Sequence, residues 1–372
     1  MKILLAPNAM KGALSAQKIA TILSKTIRRK YPDAEVESSP IADGGNGTLD
    51  CIMNALGGTI YEQEVTGPIH PIRVKVRYGI TKDNIAVIES AEAIGLHLLT
   101  PSPETIAQST TRGIGELILA SRSRLCKEIW IGLGGSATND GGGGMARALG
   151  LDFLDQHGEQ LKEGSIALLQ LHQIETKDTT KQHCPITILS DVQNTLLGNT
   201  GATHTFARQK GASEEQLPYM ESALKNFSDV VQRDLHKDYS NIPGSGAAGG
   251  LGYGLMTFCD AQSVSGIEHV MNTIGFDEKL SMCEHVITTE GTLDSQTLFG
   301  KGISGIVRRA KLMNKPVHAF VGRVNGNIEE LQSLLGLASL TEISPAELST
   351  QEAMRDASWL LADAVYHHNF HQ

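Results

Sequence analysis

The sequence predicts an α/β protein in two parts: a discontinuous domain built from both ends of the chain, and a second α/β domain inserted into it. Three observations carry this. The N-terminal stretch alternates short apolar runs with helical periodicity, and the C-terminal stretch repeats that style. Between them the texture changes to an antiparallel strand pair, helices and long glycine-rich loops. The first domain is expected to comprise residues 1–66 and 285–372, and the insert residues 67–284.

Taken in order, Ile3 to Ala6 reads as a strand, and Ile19, Ala20, Ile22, Leu23 and Ile27 recur at helical spacing until Pro32, with Ser15 as the N-cap. A second strand from Glu35 to Ser38 leads into Ala42-Asp43-Gly44-Gly45-Asn46-Gly47-Thr48. A short helix ending at Gly57-Gly58 and a strand from Thr59 to Val65 complete a βαβαβ opening. Ile72 to Tyr78 and Ile85 to Glu89 predict a hairpin joined through Lys82-Asp83-Asn84. Further strands are expected at Glu128 to Ile131 and Ile186 to Leu189, and Ser213-Glu214-Glu215-Gln216 reads as a capping box opening a long helix. The far end predicts strand His285 to Thr288, helix Ile303 to Met313, strand Val317 to Val321, a helix around Ile328 to Leu335, and a last helix opened by Ser349-Thr350-Gln351-Glu352.

Composition narrows the function. A net charge of −9 argues against a nucleic-acid partner. No apolar run reaches the roughly 18 residues of a membrane span, and the N-terminus is too briefly hydrophobic for a signal peptide, so a cytoplasmic location is expected. The five cysteines lie far apart with no CxxC pair, which predicts free buried thiols. The tail His367-His368-Asn369-Phe370-His371 reads as a solvated terminus and not as a metal site.

Glycine is in excess, 39 of 372 residues, and 20 of these lie in four short stretches, 44–47, 132–144, 244–254 and 291–305. Glycine-rich loops ahead of helices let backbone N–H groups approach an anion closely, so four such loops beside polar residues point to phosphate handling. The richest runs from Gly132 to Gly144. Gly132 to Ala137 fits GxGxxA, with Asp152 twenty residues beyond the first glycine. A dinucleotide fold would have to carry its first helix through four consecutive glycines, each about 1 kcal/mol worse than alanine, which weighs against it. No GxxxxGK[ST] occurs.

Acids stand at strand ends beside these loops: Asp43 before Gly44-Gly45, Asp191 after Ile186 to Leu189, and Glu290 and Asp294 flanking Gly291. That placement suits Mg²⁺ coordination and proton abstraction from a hydroxyl, the two needs of phosphoryl transfer. Lys11, Lys210 and Lys301, each next to a glycine, are candidates to neutralise phosphate or a substrate carboxylate.

Together these motifs resemble the bacterial glycerate kinases, across nearly the whole chain. The resemblance rests on Asn8-Ala9-Met10-Lys11-Gly12, Ala42-Asp43-Gly44-Gly45, Gly132 through Gly142, Ser190-Asp191-Val192, Gln209-Lys210-Gly211-Ala212, Pro243 through Gly252, Glu290-Gly291, Leu293-Asp294, Gln296-Thr297 and Gly300-Lys301. It implies ATP-dependent phosphorylation of D-glycerate, at the 2-hydroxyl in preference to the 3-hydroxyl, with Mg²⁺ as cofactor. It also implies a flavodoxin- or Rossmann-like three-layer domain carrying the insert, with the active site in the cleft between them. By the same resemblance Asp191 is the base, with Lys11 and Asp294 also catalytic. Gly134, Gly135, Ser136, Thr138, Asn139, Gly246 and Gly249 bind ATP; Asp43, Gly44 and Lys301 bind substrate; and Asp191, Glu290 and Asp294 hold the metal.

The chain departs from the family's usual pattern at Asn8 (often aspartate), Asn46 (often glutamate), Thr195 (often proline) and Thr292 (often basic). Two readings follow: tolerated variation, or a shift toward a related hydroxy acid. Two other functions compete with the kinase, a non-catalytic nucleotide- or metabolite-binding regulator derived from it and an NAD-dependent hydroxy-acid oxidoreductase. Retention of Asp43, Asp191 and Asp294 weighs against the first.

Overall fold

A computed structural model describes residues 1–176, 184–293 and 302–370. Its strands, in chain order, are β1 (Lys2–Pro7), β2 (Glu35–Ser38), β3 (Gly58–Thr66), β4 (Arg73–Thr81), β5 (Ile85–Glu89), β6 (Glu128–Gly132), β7 (Leu151–Leu154), β8 (Gln173–Thr176), β9 (Ile186–Leu189), β10 (Gln262–Val264), β11 (His285–Leu293), β12 (Val317–Val324) and β13 (Ser339–Glu342). The chain divides into two units, Met1–Ala55 with Ile267–Gln372, and Leu56–Gly266.

The first unit is a five-stranded sheet in the order β13-β12-β11-β1-β2, parallel throughout. Counted within the unit, that order is 2-1-3-4-5, the flavodoxin-like arrangement, whose direction of winding switches between β1 and β11. Helix Ala16–Lys30 forms where the apolar spacing predicts, capped by Ser15, whose hydroxyl accepts the Lys18 N–H. It buries Ile19, Leu23 and Ile27 together with Leu361 and Val365 of helix Thr350–His367 against Ile3, Leu5, Ile287 and Phe320 of the sheet. The capping box of Ser349 and Glu352 that opens the last helix is present.

The second unit holds a six-stranded mixed sheet, β10-β9-β6-β5-β4-β3, and a two-stranded antiparallel sheet of β7 and β8. β5, β6, β9 and β10 run parallel, and β4 pairs antiparallel with both β3 and β5. The hairpin expected through Lys82-Asp83-Asn84 is thus present.

Four expectations need correction. The strand following Gly57-Gly58 does not extend the parallel opening: β3 pairs antiparallel with β4 along its whole length, from Gly58 with Thr81 to Thr66 with Arg73, so it belongs to the second unit. At the other boundary, helices Gly266–Thr273 and Phe276–Met282 fall almost wholly in the first unit, which begins again at Ile267 and not at residue 285. Helix Leu217–Leu235 starts four residues after Ser213, because Pro218, lacking a backbone donor, fits its first turn; the Gln216 side chain turns back to accept the Ser213 N–H. The C-terminal segment is docked at Phe370, which is buried against Tyr31 and His318, whereas His367 and Asn369 stay exposed. The five cysteines are free, four of them buried. Among the described residues no helix is long and apolar enough to cross a membrane.

Candidate active site

In open α/β sheets ligands bind beyond the carboxyl ends of the strands, at the point where winding reverses. In the first unit that point lies between β1 and β11, and the sequence-predicted residues converge there. Pro7 pairs with Thr289, so the next residues, Asn8 and Glu290, face each other across the crevice. The Asn8 side-chain amide donates to Glu290 Oε2 at 3.0 Å, its Oδ1 accepts the Ala9 N–H, and the Thr289 hydroxyl donates to the Asn8 carbonyl. Gly302, at φ +40°, presses against the same pair: a Cβ there would lie 2.7 Å from Glu290 Oε2. Asp43 is fixed by accepting the Gly45 N–H at 3.1 Å. Burial, and then the charge of Asp43, push the Glu290 carboxyl up to about 7, against the opposing effects of Asn8 and Lys11. An aspartate at position 8 would set a further carboxylate against Glu290, so the asparagine found here relieves repulsion by donating a hydrogen bond.

Lys11, Asp43 and Glu290 line one cavity of about 330 Å³ at this edge of the sheet. Arg323 of β12 lines it too and is held by donating to the Leu348 carbonyl. The rest of the wall is mostly apolar or glycine, with Met10 and Ala13 after β1, Gly291 and Gly322 in neighbouring strands, Ile343 after β13, and Ala353, Met354 and Ala357 from the last helix, and it also carries the hydroxyls of Thr292, Ser344 and Thr350. Sequence reasoning missed Arg323 and the helix residues. They belong to no glycine motif and reach the site only because β12, β13 and the last helix pack beside β11.

In the second unit the carboxyl edge of the parallel strands gathers a second set. Glu89 pairs with Gly132, and Gly132 with Leu189, so Glu89, Gly132 and Leu189 form one row ending β5, β6 and β9. Asp191 lies two residues beyond that row, its Oδ1 accepting the Ser265 hydroxyl at 2.6 Å. Glu89, which is buried, is a candidate that the sequence reading missed. The signal was available: an apolar strand that closes on an acid and a serine, the same pattern that flagged Asp191.

The glycine-rich loop after β6 is largely interior. Gly134 and Gly135 remain accessible, with Gly135 at φ +76°. Beyond them the loop is tied down: Lys210 donates to the Ser136 hydroxyl at 3.3 Å and to the Thr138 carbonyl at 2.7 Å, and Asn139 donates to the Thr203 hydroxyl. Asp140, fully enclosed, accepts from the backbone N–H groups of Thr111, Gly142 and Gly144 and from the Thr111 hydroxyl. Burial raises its pKa while those donors oppose the rise. Burial also lowers the Lys210 ammonium to about 7, against the charge of Asp140.

Gly246 and Gly249 are packing positions: a Cβ on Gly246 would come 2.2 Å from the Thr195 carbonyl oxygen, and one on Gly249 1.8 Å from that of Thr138. Thr138, Asn139, Gly246 and Gly249, the residues expected to touch ATP, are buried in the structure. Lys210 serves as the clamp of the loop, and Ser136 is nearly closed off. The dinucleotide reading fails on placement, since Asp152 stands in β7 of the small antiparallel sheet, away from any parallel strand end.

Asp294 and Lys301 lie outside the described residues. Of the metal candidates, Glu290 belongs to the first unit and Asp191 to the second. Among the described residues no three side chains of metal-binding type converge. Asp43 and Glu290, whose mutual repulsion a cation would relieve, match the one or two carboxylates that Mg²⁺ commonly takes alongside substrate phosphates.

Comparison with known proteins extends these findings. The model of the glycerate kinase family matches residues 3–368. The chain is 39% identical over 331 residues to the glycerate 2-kinase of Escherichia coli K12, covering 88% of this chain and 87% of that one. It is 36% identical over 366 residues to a glycerate kinase of Halalkalibacterium halodurans, covering 98% and 96%. A crystal structure from Salmonella typhimurium LT2 that carries the name glycerate kinase 2 superposes with a TM-score of 0.80 at 37% identity, over 98% of this chain and 96% of that one.

Proposed function

The chain belongs to the glycerate kinase family and is a kinase, and from that premise we propose that it transfers the terminal phosphoryl group of ATP to the 2-hydroxyl of D-glycerate, with Asp191, Lys11 and Asp294 as catalytic residues. The choice of the 2-hydroxyl is supported by the similarity to the Escherichia coli glycerate 2-kinase.

The observation that carries the assignment of roles is the placement of Asp191. It stands just past the carboxyl end of a buried parallel strand, with one carboxylate oxygen held by the Ser265 hydroxyl. A carboxylate oriented in this way accepts the proton that the glycerate hydroxyl loses as its oxygen attacks phosphorus, and general-base help of this kind is worth about 10²–10⁴-fold in rate. Lys11 and Arg323 offset the negative charge of the transferring phosphoryl group or of the substrate carboxylate. The accessible N–H groups of Gly134 and Gly135 offer a further anion contact. Gly44 and Lys301 stay on the substrate side of the proposal, and Asp43 moves to the metal side.

Asp43 and Glu290, with Asp294, would hold Mg²⁺, which when bound neutralises the phosphate oxygens of the nucleotide. Glu290 must then bind as the carboxylate, so the cation competes with the proton that burial and Asp43 favour there.

The test is direct. Purified protein with ATP, Mg²⁺ and D-glycerate should form ADP, and phosphorus NMR should show 2-phosphoglycerate; the 3-phosphate as sole product would overturn the positional assignment. Asp191→Asn should lower kcat by about 10²–10⁴-fold with little change in the KM for glycerate. A folded variant with near-normal kcat would remove Asp191 from the role of base.

A further inference from the structure

We propose that the cavity at the carboxyl edge of the first unit's sheet receives the nucleoside of the phosphoryl donor, the purine base and its ribose, with the polyphosphate directed toward Lys11, Asp43 and Glu290. The inference rests on the kinase reading and assigns a place to one of its two substrates.

Size is the first argument. About 330 Å³ falls in the range of roughly 300–1,000 Å³ that encloses ligands of drug size. A three-carbon acid would fill only a fraction of it.

Wall chemistry is the second. The last helix turns Ala353 and Ala357, one turn apart, into the cavity beside Met354, and Met10 and Ile343 complete an uncharged surface. D-Glycerate, a carboxylate with two hydroxyls, has little to bury against this apolar part of the wall and would pair instead with Lys11, Arg323 and the hydroxyls of Thr292, Ser344 and Thr350, which leaves the apolar part to another group. A purine gains from the same surface, at about 25 cal/mol per Å² of apolar area removed from water, and its ring is a good partner for the two methionine sulfurs. Met10 is buried whereas Met354 is 37% exposed, so one methionine lies in the wall and the other stands where a bound base would cover it.

The floor is the third argument. Gly291 of β11 and Gly322 of β12 lie so close that a Cβ on Gly322 would come 2.4 Å from the Gly291 carbonyl oxygen. The strand surface there is bare peptide with no side chain standing on it. Glycine inside a strand is the usual mark of a surface approached closely by a ligand or another backbone. In the second unit the comparable glycine loop is filled by its own contacts from Ser136 to Asp140, so it offers no comparable apolar enclosure.

The test uses the whole enzyme with methyl-labelled methionine, Met10 and Met354 being assigned through Met→Leu variants. Adenosine and ADP should each shift both methyl resonances upfield by ring current, and D-glycerate should leave them in place. Ala353→Phe, which fills the cavity, should weaken ADP in calorimetry and raise the KM for ATP by at least tenfold, while the KM for D-glycerate changes less than twofold. Should Ala353→Phe fail to fold, Met354→Ala carries the same prediction with a loss of severalfold.

Methyl shifts caused by D-glycerate and not by adenosine, in an enzyme that still makes ADP, would overturn the inference and leave the kinase reading standing. Shifts with adenosine in a protein that phosphorylates no glycerate would do the reverse.

Discussion

Glycine does opposite work in the Gly246 to Gly254 stretch of the second unit and at Gly291 of the first. In the second, Gly246, Gly249, Gly250 and Gly254 are places where one backbone passes within contact of another, and a methyl group at any of them would meet a carbonyl oxygen, a Cα or a buried leucine closer than 3 Å. In the first, Gly291 has nothing nearer than 3.4 Å to a hypothetical Cβ, and it floors an open cavity. The same residue seals the Gly246 to Gly254 stretch and, at Gly291, leaves room beside the cavity. Glycine clustering therefore marks the neighbourhood of phosphate chemistry without marking the atoms that contact phosphate.

The contrast is broken most sharply by one methyl group placed in each region. Gly249→Ala puts its Cβ 1.8 Å from a backbone oxygen at a residue with φ +67°, so both steric overlap and left-handed strain oppose it. The expected cost is about 3–5 kcal/mol, seen as a lower urea midpoint. Gly291→Ala meets only ordinary contacts and should leave that midpoint almost unmoved while raising the KM for ATP severalfold. Equal destabilisation by the two substitutions would show that both glycines are packing positions and would remove the distinction.

The sequence carried the fold well for a definite reason. Strands such as Ile186–Leu189 and helices such as Ala16–Lys30 each bury a face that their own periodicity announces. It also carried the position of two acids, because Asp191 and Glu290 each follow a recognisable apolar run, whereas Asp43 was marked only by the Gly44-Gly45 pair after it. It did not carry the sense in which Lys210 points. A lysine next to a glycine reads as solvated or phosphate-facing, and only the fold shows it turned inward onto Ser136 and Thr138. Nor could it carry the cavity wall, since Ile343, Ala353 and Ala357 become neighbours of Gly291 only after β12 and β13 pair beside β11. The strand β3 misled because a glycine-bounded apolar run has no direction until its partner is known, and the partner is the hairpin strand β4.

Lys210→Met provides the next largest effect. The substitution keeps the stem and removes two donated hydrogen bonds, leaving the Thr138 carbonyl without its ammonium partner, at an expected cost of about 1–3 kcal/mol. The pH dependence separates this from simple loss of packing. An ammonium whose pKa falls to about 7 on folding binds fewer protons than the unfolded chain up to its ordinary value, so its contribution to stability rises as pH rises above 7. Denaturation of Lys210→Met from pH 7 to 10 should show a shallower rise than the parent enzyme. An unchanged slope would mean that the buried amine does not titrate on folding.

Glu290 gives the mirror image in the first unit, with the smallest effect. Its carboxyl is pushed up to about 7 in the folded chain by burial and by Asp43. The folded form therefore holds a proton that the unfolded form releases near 4.5. The contribution is present in full below the unfolded value and is lost as pH climbs through 7. Glu290→Gln fixes the side chain in a neutral state of similar shape, so it should leave the ligand-free melting temperature at pH 5 nearly unchanged and raise it by a few degrees at pH 8. The gain should disappear with Mg²⁺ and ADP present, because the parent enzyme then has a cation to offset the charge and the glutamine does not. A glutamine variant less stable than the parent at pH 8 without ligand would show that Asn8 and Lys11 already neutralise Glu290, and that the first unit stores no electrostatic strain for its ligands to relieve.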